Sequence, residues 1–122
     1  MAWRTGFKAA KHAKYGNKKA ESNGIKFQSK KECARYDELI LLQAAGLISK
    51  LKLQVTFPLQ YGFTTIDGER IQPISYSCDF TYFETGIARR IVEDCKGFET
   101  AAFLKSWKQM KSIYPEYLYK IT

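Results

Sequence analysis

The sequence predicts an α/β domain whose elements run helix, three or four strands, helix, strand. Three observations carry this. A capping box, Ser29-Lys30-Lys31-Glu32, opens a helical period. Runs of period-two alternation follow between residues 48 and 96. A second helical period covers 100–114 and is stopped by Pro115. The length of 122 residues fits one domain, and a 45% hydrophobic content is enough to give it a core.

Residues 1–24 are polar, basic and glycine-punctuated, and read as an N-terminal arm, with a single domain over 25–122. Residues 24–28 form a short extended lead-in. The first helix spans about 30–45, with Cys33, Tyr36, Leu39 and Ile40 on its apolar face and Gly46 as a left-handed cap. Leu51, Leu53, Val55 and Phe57 alternate as a strand over 48–57. Pro58 limits that strand as a central one, so 59–65 continues as an edge or bent strand. Asp67-Gly68 marks a hairpin turn. Residues 74–83 and 87–96 form two further strands joined by a turn at 84–86. Phe103, Leu104, Trp107, Met110 and Lys111 set the period of the second helix, and 117–121 form a short last strand.

Twenty Lys and Arg against twelve Asp and Glu give a net charge of +8, with a sequence pI of about 9.4. An excess of this size favours a polyanionic partner, either nucleic acid or an acidic membrane surface. Residues 1–31 carry nine basic residues against Glu21 alone, while the remainder balances at eleven of each sign. The basic segment is either a solvated tail or an arm laid along a phosphate backbone. Cys33, Cys78 and Cys95 are an odd number without CxxC spacing, and neither a secretory signal nor a membrane-length apolar run is visible. A cytoplasmic protein with reduced thiols is expected. His12 is the lone histidine and sits in the basic arm, which argues against a histidine-based metal site or triad.

The chemistry concentrates on the pair of strands at 74–83 and 87–96. Counting back from a turn at Thr85-Gly86 puts Asp79 roughly opposite Val92, one pleat step from Asp94. Residues two apart share a face, so Asp94 and Lys96 project to one side, and Glu93 and Cys95 to the other. If Asp79 faces the first side, two carboxylates and an ammonium converge. Carboxylates suit Mg²⁺, which polarises a phosphoryl oxygen and activates water, and a lysine stabilises developing negative charge. That set suits phosphodiester hydrolysis. The plain alternative is a surface Asp–Lys pair, since D-x-K is common. Two features weigh against it: both aspartates lie in strongly apolar strands, where unpaired carboxylates are costly, and Gly97 after Lys96 permits close backbone approach.

Ser75-Tyr76-Ser77-Cys78-Asp79-Phe80 followed by Asp94-Cys95-Lys96-Gly97 resembles the PD-(D/E)XK nuclease motif, with Cys78 where many members have Pro and Asp94 where Glu is commoner. The helix with Ser29-x-x-Glu32 is similar to the first helix of Holliday-junction resolvases and phage endonuclease I-type enzymes. With Lys14 to Lys19, Gly24 to Glu32, Leu53-Gln54 and Val92 to Phe98, the chain resembles small phage- and prophage-encoded endodeoxyribonucleases over about 14–121. The resemblance implies an αβββαβ, restriction-endonuclease-like core with a mixed central sheet flanked by helices. It implies that Asp79 and Asp94 ligate Mg²⁺ or Mn²⁺ with the backbone carbonyl of Cys95, that Lys96 orients or activates water, and that Glu32 completes the metal shell. Glu32 also reads simply as a capping residue; Glu38 and Glu93 are the other acids in range. Gln54 is placed near the metal or as a nucleic-acid contact, or faces solvent.

Tyr15, Lys18, Lys19, Lys30 and Lys31 read as phosphate contacts rather than base readers. Phe103 and Trp107 read as core, and Lys105, Lys108 and Lys111 as a solvated face or a second DNA-contacting surface. The leading expectation is a metal-dependent endodeoxyribonuclease acting on DNA. Selectivity for branched junctions, as in DNA recombination, would require two coordinated cuts and a homodimer. The alternative is a non-catalytic basic nucleic-acid-binding protein on a nuclease-like scaffold. A restriction- or transposase-associated subunit is disfavoured, because 122 residues leave no room for a specificity domain.

Overall fold

The computed structural model describes residues 20–122. They form two compact units, one running to Leu41 and the other spanning Leu42–Thr122.

In the first unit, β1 (Ala20–Ser22) and β2 (Ile25–Phe27) pair antiparallel around Asn23-Gly24. Both turn residues have positive φ, 51° and 77°, as a two-residue hairpin turn of this kind requires. The hairpin begins inside the stretch read as an arm to residue 24, and it was not foreseen. Helix α1 (Lys30–Ala44) follows. Ser29 Oγ accepts the Glu32 N–H at 3.1 Å, as the capping box predicts. The hairpin is tied to the helix by Ser22 Oγ on Asp37 at 2.5 Å, by Asn23 on the Tyr36 hydroxyl at 3.3 Å, and by the Phe27 and Tyr36 rings, 5.0 Å apart.

The last turn of α1 lies in the second unit. There Gly46 (φ 78°) returns its N–H to Gln43, and Leu47 returns its own to Leu42. This is the paired bonding of a Schellman cap, and it confirms the predicted role of Gly46. Strand β3 (Ile48–Gln60) alternates as expected: Leu51, Leu53, Val55, Phe57 and Leu59 turn inward while the even positions from Lys52 onward are exposed. Pro58 does not end it, because β3 is an edge strand of its sheet and the ladder there shifts register. β4 (Phe63–Thr64) and β5 (Arg70–Ile71) form the small hairpin around Asp67-Gly68. Then come β6 (Ile74–Glu84), β7 (Ile91–Asp94), helix α2 (Ala101–Ile113) and β8 (Leu118–Ile121).

The principal sheet is four-stranded and mixed, in the order β3-β6-β7-β8, with the last pair parallel. The element order α1-β3-β6-β7-α2-β8, with β4–β5 inserted, is the expected αβββαβ arrangement. The register between β6 and β7 corrects the sequence reading. Val92 lies opposite Thr81 and Glu93 opposite Phe80, so the ladder continued by one residue sets Asp79 across from Asp94, not Val92. The cause is the connection: β7 begins at Ile91 rather than 87, after a loop in which Ile87 bonds Glu84 and Gly86 takes φ 85°. The slip is two residues, an even number, so the faces are preserved.

All four residues of β7 are buried. Val92 joins Phe57, Tyr76, Cys78, Phe103, Trp107 and Met110 in one core cluster under α2. Thr100 caps α2, its Oγ1 accepting the Phe103 N–H at 3.1 Å, and the Tyr119 hydroxyl shares its proton between the carbonyls of Met110 and Tyr114 at the other end. Cys33, Cys78 and Cys95 form no disulfide. Among the described residues no helix is long and apolar enough to cross a membrane. Trp107 is 5% exposed and touches Tyr76, Phe103 and Tyr119. Trp107→Ala is therefore expected to cost about 3–5 kcal/mol of stability, read by chemical denaturation of the purified variant.

Candidate active site

Two neighbouring strands carry the candidate site. Asp79 sits mid-way along β6, and Asp94 is the last residue of β7. The cross-strand register sets Asp79 and Asp94 side by side on adjacent strands, close enough for Asp79 to act on the Asp94 carboxyl. Asp79 is otherwise held on both oxygens: the Cys95 backbone N–H donates to Oδ2 at 2.8 Å, and the Gln54 amide donates to Oδ1 at 3.3 Å. Asp94 is 1% exposed. Its Oδ2 accepts a hydrogen bond from the Tyr76 hydroxyl, and its Oδ1 lies 3.6 Å from the Lys96 ammonium. Lys96 in turn rests over the Phe103 ring, 4.7 Å from its centroid, with about a third of its side chain open to solvent.

Burial raises the Asp94 carboxyl above the usual carboxylate range, to about 7, assisted by its hydrogen bond to Asp79 and by that residue's charge. Tyr76 and Lys96 act in the opposite sense, because both favour the ionised form. Burial is also the main reason the Tyr76 hydroxyl is raised and the Cys78 thiol is pushed up to about 12. Cys78 is a buried core thiol whose Sγ points to the Phe80 carbonyl; it stands in the strand without reactive character.

The predicted alternation along β7 holds. Asp94 and Lys96 meet on one side. On the other, Glu93 accepts from the Tyr82 hydroxyl at 2.5 Å and from Thr122 Oγ1 at 3.1 Å, and Cys95 Sγ lies 3.2 Å from the same Thr122 oxygen. Glu93 therefore faces away from the Asp79–Asp94 pair. The backbone amide of Cys95 reaches the site, and its thiol does not. Two backbone bonds to Thr122, from the Lys96 N–H and to the Asp94 carbonyl, brace the segment that carries D-x-K.

Gln54 is exposed and has φ 51°, a left-handed backbone for a non-glycine residue inside a strand, directly across from Asp79. Such a conformation costs on the order of 1 kcal/mol and is retained where the surroundings demand it. The sequence reading offered Gln54 as a group near the metal, a nucleic-acid contact or a solvent-facing residue; the structure shows it bonded to Asp79. Tyr76 was read only as an apolar strand position. The signal was its hydroxyl, since a buried tyrosine needs a hydrogen-bond partner. Gly97 has an unstrained backbone, and a Cβ there would meet nothing within 4 Å, so neither conformation nor crowding requires glycine.

Glu32 lies in the first unit, 7% exposed, in the first turn of α1. Glu38 is on the same helix and pairs with Arg35 at 3.2 Å. Lys30 and Lys31 are exposed at the start of α1. Tyr15, Lys18 and Lys19 lie outside the described residues. Among those residues, no three His, Cys, Asp or Glu side chains gather closely enough to hold a metal ion by themselves. Mg²⁺ needs fewer: one or two carboxylates suffice when water and substrate phosphate complete the octahedron. A half-buried Asp79 beside a buried Asp94 on the adjacent strand is a donor set that fits such an ion.

A family model described as "Protein of unknown function (DUF1064)" matches residues 12–121. The chain belongs to the DUF1064 family. The stretch that matches the DUF1064 model contains Gln54, Tyr76, Asp79, Asp94 and Lys96, so the whole constellation lies in the part of the chain that the family describes. No curated protein and no solved structure matches the chain.

The raised Asp94 carboxyl makes stability depend on pH. With no divalent ion bound, the folded state holds a proton up to about pH 7 that the unfolded chain releases near 3.8. This contribution is complete below that lower value and is lost as pH rises through the upper one. The metal-free protein should therefore lose up to about 4 kcal/mol between pH 4 and 8, measured by denaturant titration in a chelator. Asp94→Asn should flatten the profile, and Tyr76→Phe should move the fall to higher pH. An unchanged profile in Asp94→Asn would exclude Asp94 as the titrating group.

Proposed function

We propose that the protein is a metal-dependent endodeoxyribonuclease of the PD-(D/E)XK type, hydrolysing DNA phosphodiester bonds. The observation that carries this reading is the apposition of Asp79 and Asp94 with the Lys96 ammonium 3.6 Å from Asp94 Oδ1. The second unit supplies all three groups. A surface that only bound a polyanion would gain nothing from two carboxylates turned toward it.

In this reading, the carboxylates of Asp79 and Asp94 and the backbone carbonyl of Cys95 would hold Mg²⁺ or Mn²⁺. The ion supplies Lewis-acid polarisation of the phosphoryl oxygen and offsets the charge of the carboxylate pair. Tyr76, Gln54 and the Cys95 N–H fix the carboxylates by occupying one site on their oxygens. Lys96 donates from Nζ to the attacking water and then to the oxygens gaining charge on phosphorus. The Phe103 ring beneath the ammonium limits where that water sits. The new bond joins the water oxygen to phosphorus and the water gives up a proton to solvent, while one phosphorus–oxygen ester bond breaks and the leaving oxygen takes up a proton from solvent. Branched DNA as the preferred substrate, with a homodimer making paired cuts, is the finer form of the proposal.

The decisive experiment incubates the protein and Mg²⁺ with linear duplex, single-stranded and four-way-junction DNA. Wild type should cleave at least one of them, and Lys96→Ala and Asp79→Asn should each reduce the rate by about 10²-fold or more. Absence of metal-dependent cleavage on every substrate would overturn the enzyme reading; full activity in the variants would overturn the site. Independently of activity, Mg²⁺ should raise the melting temperature of wild type and leave Asp79→Asn unmoved.

A further inference from the structure

Charge is unevenly distributed over the described residues in a way the candidate site does not use. Residues 20–122 carry fourteen basic and twelve acidic side chains, a net of +2. Helix α2 alone contributes Lys105, Lys108 and Lys111 and no acid at all. Outside α2 the count is eleven basic to twelve acidic, so the positive excess of the described residues lies on this helix.

The three lysines follow one another at three-residue steps, a ridge on the helix surface. Phe103, Trp107 and Met110 bury the inner face of α2, and at about 100° per residue Lys105 and Lys108 fall opposite them, with Lys111 on the flank. All three are exposed, and none hydrogen-bonds or ion-pairs with a described residue. Three neighbouring ammonium groups with no acid among them repel one another; Lys111 is offset by its favourable place in the last turn of the helix, and Lys105 and Lys108 have no such compensation. Their axial spacing is about 4.5 Å, comparable to one charge per ~3.4 Å along each strand of DNA. Along the helix axis the ridge begins level with the candidate chemistry, because Phe103, two residues before Lys105 but on the inner face, lies under the Lys96 ammonium.

We propose that the outer face of α2 is a docking surface for the phosphate backbone of double-stranded DNA, with Lys105, Lys108 and Lys111 as its contacts. The choice of DNA as the polyanion rests on the nuclease reading. The surface grips backbone and reads no bases, since lysines alone carry little base information. The ridge spans about 9 Å along the helix, the rise from Lys105 to Lys111.

The test measures duplex binding by fluorescence anisotropy without divalent ions, so that cleavage plays no part, over a range of NaCl concentrations. Replacing all three lysines, Lys105→Gln, Lys108→Gln and Lys111→Gln, should weaken binding at least ~10-fold near physiological salt and lower the slope of log affinity against log salt by about 2–3. A control with the same charge change on scattered exposed positions, Lys26→Gln, Arg70→Gln and Lys120→Gln, should lower the slope by less than 1. Replacing the ridge with three arginines should restore the wild-type slope, which separates charge from folding. Equal slopes for the ridge and scattered triples would overturn the proposal. So would loss of binding to anionic vesicles with duplex binding intact. If wild type cleaves DNA while the ridge triple binds it as tightly, the ridge alone falls. If wild type neither binds nor cleaves DNA, the nuclease reading falls and takes the ridge with it.

Discussion

Two carboxyl groups held against each other on adjacent strands are the constraint around which the second unit is arranged. Water would normally separate such a pair; here Asp94 ends a strand buried on both faces, and Asp79 sits beside it, half-buried, in the middle of β6. What holds them is three donors and one ion pair: the Cys95 amide and Gln54 donate to Asp79, Tyr76 donates to Asp94, and the Lys96 ammonium pairs with the remaining Asp94 oxygen. These groups come from three places in the fold. Gln54 comes from the edge strand, Tyr76 from the core under α2, and Cys95 and Lys96 from the chain leaving β7. The apposition therefore depends on the whole sheet being in register and on α2 being seated.

That dependence shows in how the D-x-K segment is braced. Past Asp94 the chain has left the β6 ladder, yet it is not a free loop. β8 runs parallel to β7, and Thr122 takes the Lys96 N–H while giving its own N–H to the Asp94 carbonyl. The same residue's hydroxyl lies between Glu93 and Cys95, the two side chains that turn away from the site. One strand thus orders both faces of the segment. The strained backbone at Gln54 is the opposite kind of feature, a local cost accepted opposite Asp79, and positions of this kind are where stability and function commonly conflict.

Local signals were legible in the sequence. Ser29 capping α1, Gly46 ending it, Thr100 and Pro115 bounding α2 and the inward alternation from Leu51 to Leu59 all act within a few residues. The sidedness of Asp94 and Lys96 was legible for the same reason, since pleating has a period of two wherever the strand pairs. The register was not legible. It was set by the loop after Glu84, and the apolar run from Ile87 looked like strand although pairing begins only at Ile91. The Asn23-Gly24 hairpin leaves little trace in the sequence because each flanking strand is three residues long, too short to display alternation. The bonds of Tyr76 to Asp94 and Gln54 to Asp79 join residues eighteen and twenty-five positions apart, and no local pattern announces them.

Tyr76 has a use beyond holding a carboxylate. Its ring meets the Trp107 indole edge-on, with centroids 5.9 Å apart, and its hydroxyl ends on Asp94. A change in the charge or occupancy of the carboxylate pair is thus felt one ring away by an indole, an intrinsic fluorophore whose emission follows its electrostatic surroundings. The core doubles as an optical gauge of the site and needs no dye or label.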